Sequence, residues 1–151
     1  MKQEWICLEF DALNANQLYD ILQLREQVFQ IEQNCLYVDI DDKDRKASHL
    51  MCYEDSRLVA YARIIPKWVS YPDSVSIGRV CTHINYRQLG WGKRLMQQAI
   101  LQCRTQFGGE SIQISAQSYL LRFYSELGFE AFGDEYLEDG IPHRAMILHD
   151  L

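Results

Sequence analysis

The fold is decided by residues 75–96, which read VSIGRVCTHINYRQLGWGKRLM. Residues 75–82 alternate apolar with small or polar side chains and include β-branched residues, so they predict a strand. Further along, apolar residues recur at helical spacing and predict a helix, namely Leu95, Met96, Ala99, Ile100 and Cys103. An arginine and two glycines stand at the helix start, where unpaired N–H groups and a partial positive charge attract anions. The segment therefore predicts a strand–loop–helix unit with a phosphate site.

Two common phosphate-binding motifs do not fit this segment. A Walker loop requires Ser or Thr after Gly-Lys, but Arg94 follows Gly92-Lys93. The dinucleotide fingerprint requires a third glycine, where this chain has Leu95. What remains is Arg-x-x-Gly-x-Gly at residues 87–92, which resembles the acyl-CoA signature of the GNAT N-acetyltransferases. Because short glycine patterns recur by chance, the alternative is a helix start whose glycines serve tight packing.

Length and composition set limits on the function. The 151 residues fit one domain, residues 1–151, with a sizeable core. A net charge of −6 argues against a nucleic-acid partner, and no apolar run is long enough to span a bilayer. The five cysteines match no zinc or redox spacing, and the first residues do not resemble a signal peptide. We therefore expect a cytoplasmic protein with buried free thiols, no metal, and no membrane partner.

The periodicity along the chain predicts the order strand, helix, three strands, helix, strand, helix, two strands. The predicted strands cover residues 5–10, 48–54, 58–66, 75–82, 111–116, 129–137 and 143–148. A first helix follows capping residues 14–16, a second ends near residue 107, and a third runs from a Ser118 cap to residue 127. This order predicts an α/β (α+β mixed) fold with parallel pairing in its second half. The GNAT fold has the same order: a mixed, mostly antiparallel sheet, helices on both faces, and acyl-CoA entering where two parallel central strands splay apart.

The segment of residues 33–47 loses the periodicity and carries four aspartates, at positions 39, 41, 42 and 44. A calcium loop is excluded because Asp44 replaces the required glycine and Leu50 replaces the final glutamate. The charge run predicts a solvated acidic loop, with a field that attracts a cationic substrate as the alternative. Arg25 stands on the apolar stripe of the first helix, so it predicts a carboxylate partner inside the fold.

Further segments narrow the resemblance. Residues 123–129, FYSELGF, resemble a Phe-Tyr-x-x-x-Gly-Phe segment common among GNAT proteins, in which the tyrosine hydroxyl faces the acyl-CoA sulfur. Four more segments resemble the ElaA-like branch: LRxxVFxxEQxCxY at 24–37, IGRV at 77–80, AQ at 116–117 and EDGIPH at 138–143. The resemblance implies an enzyme that transfers an acetyl group from acetyl-CoA to a primary amine of a small molecule or protein, by direct attack in a ternary complex. A noncatalytic acyl-CoA-binding or interaction module with this fold is the alternative.

The resemblance also implies a set of site residues. The expected acyl-CoA contacts are Val80, Cys81, Thr82, Arg87, Gln88, Leu89, Gly90, Trp91, Gly92 and Lys93. Tyr124 is the expected general acid, with a core aromatic as its alternative. Many members place a carboxylate base where this chain has Arg79, so the base stays open among Glu32, Asp139, His143 and a water chain.

The predicted acceptor pocket consists of Glu32, Gln33, Arg79, Gln117 and Asp139. Its carboxylates favour a cationic amine. In the alternative, Glu32 pairs with Arg25 and Asp139 only shapes a turn. The other three histidines, His49, His83 and His149, are predicted to be structural. The expected partners are acetyl-CoA and an amine, with the chain a monomer or homodimer.

Overall fold

The seven strands of the described chain form a single mixed sheet. A computed structural model describes residues 2–149, apart from the side chain of Gln88. The strands are β1 (Gln3–Glu9), β2 (Ser48–Glu54), β3 (Arg57–Ile65), β4 (Val75–Thr82), β5 (Ile112–Gln117), β6 (Glu130–Glu138) and β7 (Ile141–Leu148). They lie in the order β1-β2-β3-β4-β5-β7-β6, and every neighbouring pair is antiparallel except β4 and β5. The predicted mixed, mostly antiparallel sheet is confirmed.

Three α-helices cover the sheet: α1 (Ala15–Arg25), α2 (Trp91–Phe107) and α3 (Leu121–Glu126). A π-helical stretch, Glu26–Glu32, extends α1. Asn14 caps α1 as predicted, because its side chain accepts from the Gln17 N–H at 2.8 Å. In turn, the Gln17 side chain accepts from the Asn14 N–H at 3.0 Å. The predicted Ser118 cap is wrong, since its hydroxyl donates to Glu135 at 2.8 Å. None of the helices in residues 2–149 is long and apolar enough to cross a membrane.

The core lies in two layers, one on each face of the sheet. On β2, Leu50 and Cys52 pack toward α2 and α3, whereas Met51 packs toward α1. This division follows from the strand period of two, which sends successive side chains to opposite faces. On β5 and β7 the residues packed toward α2 and α3 include Ile114 and Met146. Helices therefore cover both faces, as the resemblance implied.

The prediction of a solvated acidic loop is wrong. Asp39 and Asp44 are buried and flank Arg25, which is fully buried. The Arg25 Nε lies 2.9 Å from Asp39 Oδ2, and its Nη1 lies 2.8 Å from Asp44 Oδ1. Arg63 also binds Asp44, at 2.9 Å. The internal partner predicted for Arg25 is therefore confirmed, and paired charges of this kind provide no long-range field.

Hydrogen bonds fix the same loop against the sheet through His49. The ring Nε2 lies 2.9 Å from the Asp44 carbonyl, and Nδ1 lies 2.7 Å from the Tyr61 hydroxyl. Since a carbonyl only accepts, Nε2 carries the proton and Nδ1 accepts from Tyr61. Burial lowers the pKa of His49, which favours this neutral form. His49 is thus structural, as predicted.

Candidate active site

A cleft of about 490 Å³ opens where β4 and β5 part. The two strands pair only at Val75 with Ile112 and at Ser76 with Gln113, although both continue for several residues. Beyond that point the gap between them connects the two faces of the sheet. A cleft of this size is typical of a small-molecule site. The splayed parallel strands predicted from the sequence are therefore confirmed.

The lining residues divide between the two faces. Toward α2 and α3 lie Gly92, Met96, Leu120, Phe123 and Tyr124. On the other side lie residues from the end of the α1 extension, the following segment and the β6–β7 hairpin: Phe29, Glu32, Gln33, Cys35, Tyr37, Glu138, Asp139 and His143. Ser115 and Gln117 line it on β5, where they alternate with the core residues of that strand. The cleft thus has two chambers that meet in the gap.

A β-bulge shapes the β4 side of the cleft. The register passes from Tyr61 opposite Cys81 to Arg63 opposite Gly78, so β4 holds one extra residue there. Arg79 lies in this bulge with a left-handed φ of +49°, which is uncommon for a residue with a side chain. Its Nε lies 2.9 Å from Asp39 Oδ1, and its guanidinium covers the Tyr37 ring. Arg79 therefore lines the cleft with its charge already balanced.

The glycine-containing helix start lies at the edge of the cleft. Gly90 has a left-handed φ of +75°, and a Cβ there would meet nothing within 4 Å. The first helical hydrogen bond runs from the Arg94 N–H to the Gly90 carbonyl at 3.2 Å, which leaves the preceding N–H groups of α2 without helical partners. An open backbone at the positive end of a 17-residue helix suits a diphosphate.

The predicted acyl-CoA contacts are only partly brought together in the cleft. Its lining includes Val80, Cys81, Thr82, Arg87 and Gly92. Leu89, Gly90, Trp91 and Lys93 lie outside the lining, and the side chain of Gln88 is outside the described part of the chain. The Trp91 ring is buried beside Trp5 and Tyr86, so this residue could contribute only its backbone. The proposed use of backbone amides at 88–93 stays a prediction.

Arg87 links the acyl-CoA and acceptor sides of the cleft. Its guanidinium donates to the Thr82 carbonyl at 3.2 and 3.3 Å and forms an ion pair with Glu32 Oε1. The alternative pairing of Glu32 with Arg25 is therefore wrong. The second carboxylate oxygen of Glu32 is buried and has no hydrogen-bond partner in the described chain. An ammonium group is the kind of donor that this oxygen lacks.

Tyr124 presents a phenol to the acyl-CoA side of the cleft. Its ring packs edge-on against Phe123 and Phe129, with ring centroids 5.1 and 6.0 Å away. Only 9% of the residue is exposed, and burial raises the pKa of its hydroxyl to about 12. Tyr124 makes no side-chain hydrogen bond to any residue in the described part of the chain. The phenol is therefore protonated at neutral pH and free to donate.

His143 lies on the opposite side of the gap, buried on β7. Its Nδ1 is 2.7 Å from the Ile141 carbonyl, so Nδ1 carries the proton in the neutral ring and Nε2 is the acceptor. Nε2 lies 3.5 Å from a carboxylate oxygen of Glu138. Sequence analysis did not single out Glu138, although its position before an Asp-Gly turn was a usable signal.

The turn after Glu138 explains why Asp139 has a different role from its neighbour. Asp139 and Gly140 both have positive φ, +51° and +77°, as a type I′ hairpin turn requires. The turn pairs Glu138 with Ile141, which puts Glu138 on the same face as His143. Asp139 lines the cleft, and its carbonyl accepts from the Cys35 thiol at 3.5 Å. Its shaping of the turn is confirmed, and its contact with substrate stays a prediction.

Comparison with known proteins assigns the class. Residues 13–149 match the family model described as an acetyltransferase (GNAT) domain, so the chain belongs to the GNAT acetyltransferase family. It is a GNAT-type N-acetyltransferase, as predicted. Enzymes of this family use an acyl-CoA as co-substrate and an amine as acceptor.

The relatives place the chain more narrowly. Protein ElaA of Escherichia coli is 39% identical over 145 residues, which cover 95% of this chain and 94% of that protein. A UPF0039 protein of Schizosaccharomyces pombe is 40% identical over 147 residues, 96% of each chain. The crystal structure of E. coli ElaA superposes with a TM-score of 0.91 at 36% identity, covering 98% of this chain and all of that one. An acyl-CoA N-acyltransferase from Pseudomonas aeruginosa gives a TM-score of 0.93 at 36% identity, with coverage of 97% and 99%. The predicted ElaA-like branch is confirmed.

Proposed function

We propose that the protein transfers the acetyl group of acetyl-CoA to the primary amine of a cationic acceptor, by direct attack in a ternary complex. The observation that supports this proposal best is the two-chambered cleft, with Tyr124 on one side of the gap and His143 beside acidic side chains on the other. We place the activity in a single domain, residues 1–151, that works in the cytoplasm as a monomer or homodimer.

The charges of the acceptor chamber favour a cation. Glu32, Glu138 and Asp139 line the cleft together with two arginines, Arg79 and Arg87. Arg79 is balanced by Asp39 and Asp41 of the network beneath it, so it does not offset the three carboxylates. Arg87 offsets one of them, which leaves an excess of negative charge. An acidic cleft on a chain of net charge −6 attracts a positively charged amine.

Acetyl-CoA would bind from the α2 side. The N–H groups at the start of α2 would hold its diphosphate, and the backbone of Val80 and Thr82 would pair with the pantetheine arm and the thioester carbonyl. Both contacts need backbone that a ligand can approach, which the open space at Gly90 and the unpaired edge of β4 beyond Ser76 provide. Donors aimed at the carbonyl oxygen stabilise the charge that develops there.

The reaction needs two proton transfers. The acceptor ammonium first gives a proton to His143 Nε2, after which its nitrogen attacks the thioester carbon. The C–S bond then breaks as the new C–N bond is kept, the thiolate takes a proton from Tyr124, and the amide nitrogen loses its surplus proton, which restores the phenol. A lysine-like amine with a pKa near ~10.4 is almost entirely protonated at neutral pH, so its deprotonation costs free energy before the attack. Acceptor pKa would therefore influence the rate.

Burial makes Tyr124 a weaker acid than an ordinary tyrosine. With its pKa raised to about 12, proton transfer to a thiolate of pKa ~8.5 is uphill by about 5 kcal/mol, against about 2 kcal/mol for an unperturbed phenol. The hydroxyl therefore contributes first as a hydrogen-bond donor to the developing thiolate, in a site from which water is largely excluded. It completes the proton transfer only as the C–S bond breaks.

Thiol release from acetyl-CoA over a panel of amines tests the proposal. The panel should contain cationic diamines, lysine and lysine peptides, with neutral and carboxylate-bearing amines matched in amine pKa. We expect the cationic acceptors to have the highest kcat/KM, and Asp139→Asn to reduce that preference without changing CoA binding. Faster release with the carboxylate-bearing amines would contradict the assignment, and CoA binding without release on any amine would favour a noncatalytic module.

A further inference from the structure

Four polar side chains form a connected group on the acceptor wall, where β5, β7 and β6 lie side by side. Ser115 belongs to β5, His143 to β7, and Tyr136 and Glu138 to β6. Their strand positions put all four on the face opposite α2 and α3, since Tyr136 is directly across from His143 and Glu138 across from Ile141. Ser115, Glu138 and His143 line the cleft. Tyr136 lies outside the lining and contacts Ser115 and His143.

The histidine in this group has a defined proton position. The 2.7 Å bond to the Ile141 carbonyl fixes the proton on Nδ1, so Nε2 is the nitrogen that can accept a proton. Glu138 Oε2 is 3.5 Å from that same Nε2. A carboxylate beside the accepting nitrogen repels the lone pair of the neutral ring and attracts the imidazolium. The geometry thus favours the product of proton uptake.

Both members of the pair are held by their neighbours. The Ser115 hydroxyl lies 3.3 Å from Glu138 Oε1, and it also hydrogen-bonds with the Tyr136 hydroxyl. The Tyr136 ring stacks on the His143 ring, with centroids 6.1 Å apart and planes 23° apart. Glu138 itself is half exposed at the cleft surface, so a solvent molecule or an acceptor can reach it. The arrangement orients the Glu138 carboxylate toward His143 and leaves that carboxylate half exposed.

We propose that Glu138 is a positioning residue that orients His143 and stabilises its imidazolium when the acceptor amine loses its proton. This inference rests on the proposed role of His143 as the base. After each turnover the proton passes from Nε2 to solvent along the exposed side of Glu138, so no further co-reactant is needed. Ser115 and Tyr136 keep the carboxylate in place.

Other groups near this pair do not supply the same charge. Gln117, across from His143 on β5, is uncharged. Tyr71 interacts with both Tyr136 and Glu138, but burial raises its pKa to about 12, so it stays neutral in the assay range. Asp139 lines the cleft, but its side chain makes no hydrogen bond or ion pair with His143 among the described residues. The charge that faces Nε2 is therefore that of Glu138.

The test compares kcat and kcat/KM of the wild type with those of Glu138→Gln, Glu138→Asp and a control, Glu130→Gln. Glu130 is exposed on the same strand and lies outside the cleft lining, so the control removes the same charge by the same change. We expect Glu138→Gln to lower kcat/KM by about tenfold, because the imidazolium loses a counter-charge 3.5 Å away. Glu138→Asp keeps the carboxylate and should restore part of this rate, which a merely structural role would not predict.

The same kinetics on His143→Gln separate two kinds of failure. If His143→Gln lowers kcat/KM while Glu138→Gln matches the wild type, the positioning role of Glu138 is overturned and the base assignment stands. If His143→Gln turns over as fast as the wild type, the base itself is misassigned and the inference fails with it. A loss of equal size in Glu130→Gln would attribute the effect to net charge and would also overturn the role. CoA affinity, measured by calorimetry, is expected to stay unchanged in every variant.

Discussion

Replacing Tyr124 by phenylalanine removes one hydroxyl from a well-packed ring. The ring contacts with Phe123 and Phe129 do not involve the hydroxyl, and the side chain makes no hydrogen bond within the described chain. Because no hydrogen bond is lost, we expect the free energy of unfolding to change by less than about 1 kcal/mol. The fold and CoA affinity should be retained.

Turnover should respond very differently. Loss of a general acid lowers the rate by about 10²–10⁴-fold, or about 2.7–5.4 kcal/mol in activation free energy. Since the pKa of Tyr124 is raised to about 12, its titration produces no alkaline limb below about pH 11, so Tyr124→Phe should lower the whole pH–rate profile without changing its shape. The assay is thiol release in single-turnover and steady-state modes, with urea unfolding and calorimetric CoA binding in parallel.

Tyr19→Phe is a matched control, because Tyr19 is 67% exposed on α1 and does not line the cleft. The reasoning is refuted if Tyr124→Phe turns over as fast as the wild type at all pH values. It is equally refuted if the loss of rate follows a loss of stability or of CoA affinity. An alkaline limb near pH 9–10 that disappears in the variant would show that the phenol is a stronger acid than its burial implies.

Three further perturbations follow from the geometry. Gly90→Val should weaken CoA binding at least about tenfold, because valine resists a φ of +75° and its side chain would fill the open space beside the start of α2. Gly133→Val is the control for backbone strain, since Gly133 has a similar φ of +71° but does not line the cleft. Equal losses of CoA affinity in both variants, measured by calorimetry, would exclude a phosphate site at Gly90. Glu32→Gln should raise the acceptor KM by about 10–100-fold while CoA binding persists, and a lower melting temperature with normal kinetics would make the residue structural. Arg25→Met should lower the free energy of unfolding by about 3–5 kcal/mol in urea, since Asp39 and Asp44 lose their shared partner and the buried network keeps one uncompensated negative charge. Burial opposes the charge of Asp44, but hydrogen bonds and charges from Arg25 and Arg63 outweigh burial and lower the pKa of Asp44. The stability that this ion pair contributes is therefore present above about pH 4 and is lost as the pH falls. An acid-unfolding midpoint that is the same in Arg25→Met and in the wild type would contradict this link between Arg25 and Asp44.

The sequence alone determined the features that depend on near neighbours in the chain. Strand and helix periodicities predicted the order of the elements, and Asn14 and Gly108 marked helix ends because caps act within one turn. The Arg-x-x-Gly-x-Gly segment at residues 87–92 and the Phe-Tyr-x-x-x-Gly-Phe segment at residues 123–129 were likewise recognisable, since each is a short, local pattern. The order of the elements predicted the mixed sheet, and the resemblance of these segments to the GNAT family implied the splayed strands.

Tertiary structure decided which charges meet. Asp39 and Asp44 looked solvated because charge runs usually face water, yet Arg25 lies 14 and 19 residues away from them and binds both. Glu32 meets Arg87 across 55 residues. In each case the partner is set by how a helix and a loop pack on the sheet, which no window of neighbouring residues records.

The same limit applies to the acceptor wall. Sequence analysis placed Asp139 in the acceptor pocket and did not single out its neighbour Glu138. The strand register puts Glu138 beside His143, whereas the left-handed backbone of Asp139 turns the chain. A shift of one position along a strand moves a side chain to the other face of the sheet, so register, and not composition, determined which carboxylate reaches the histidine.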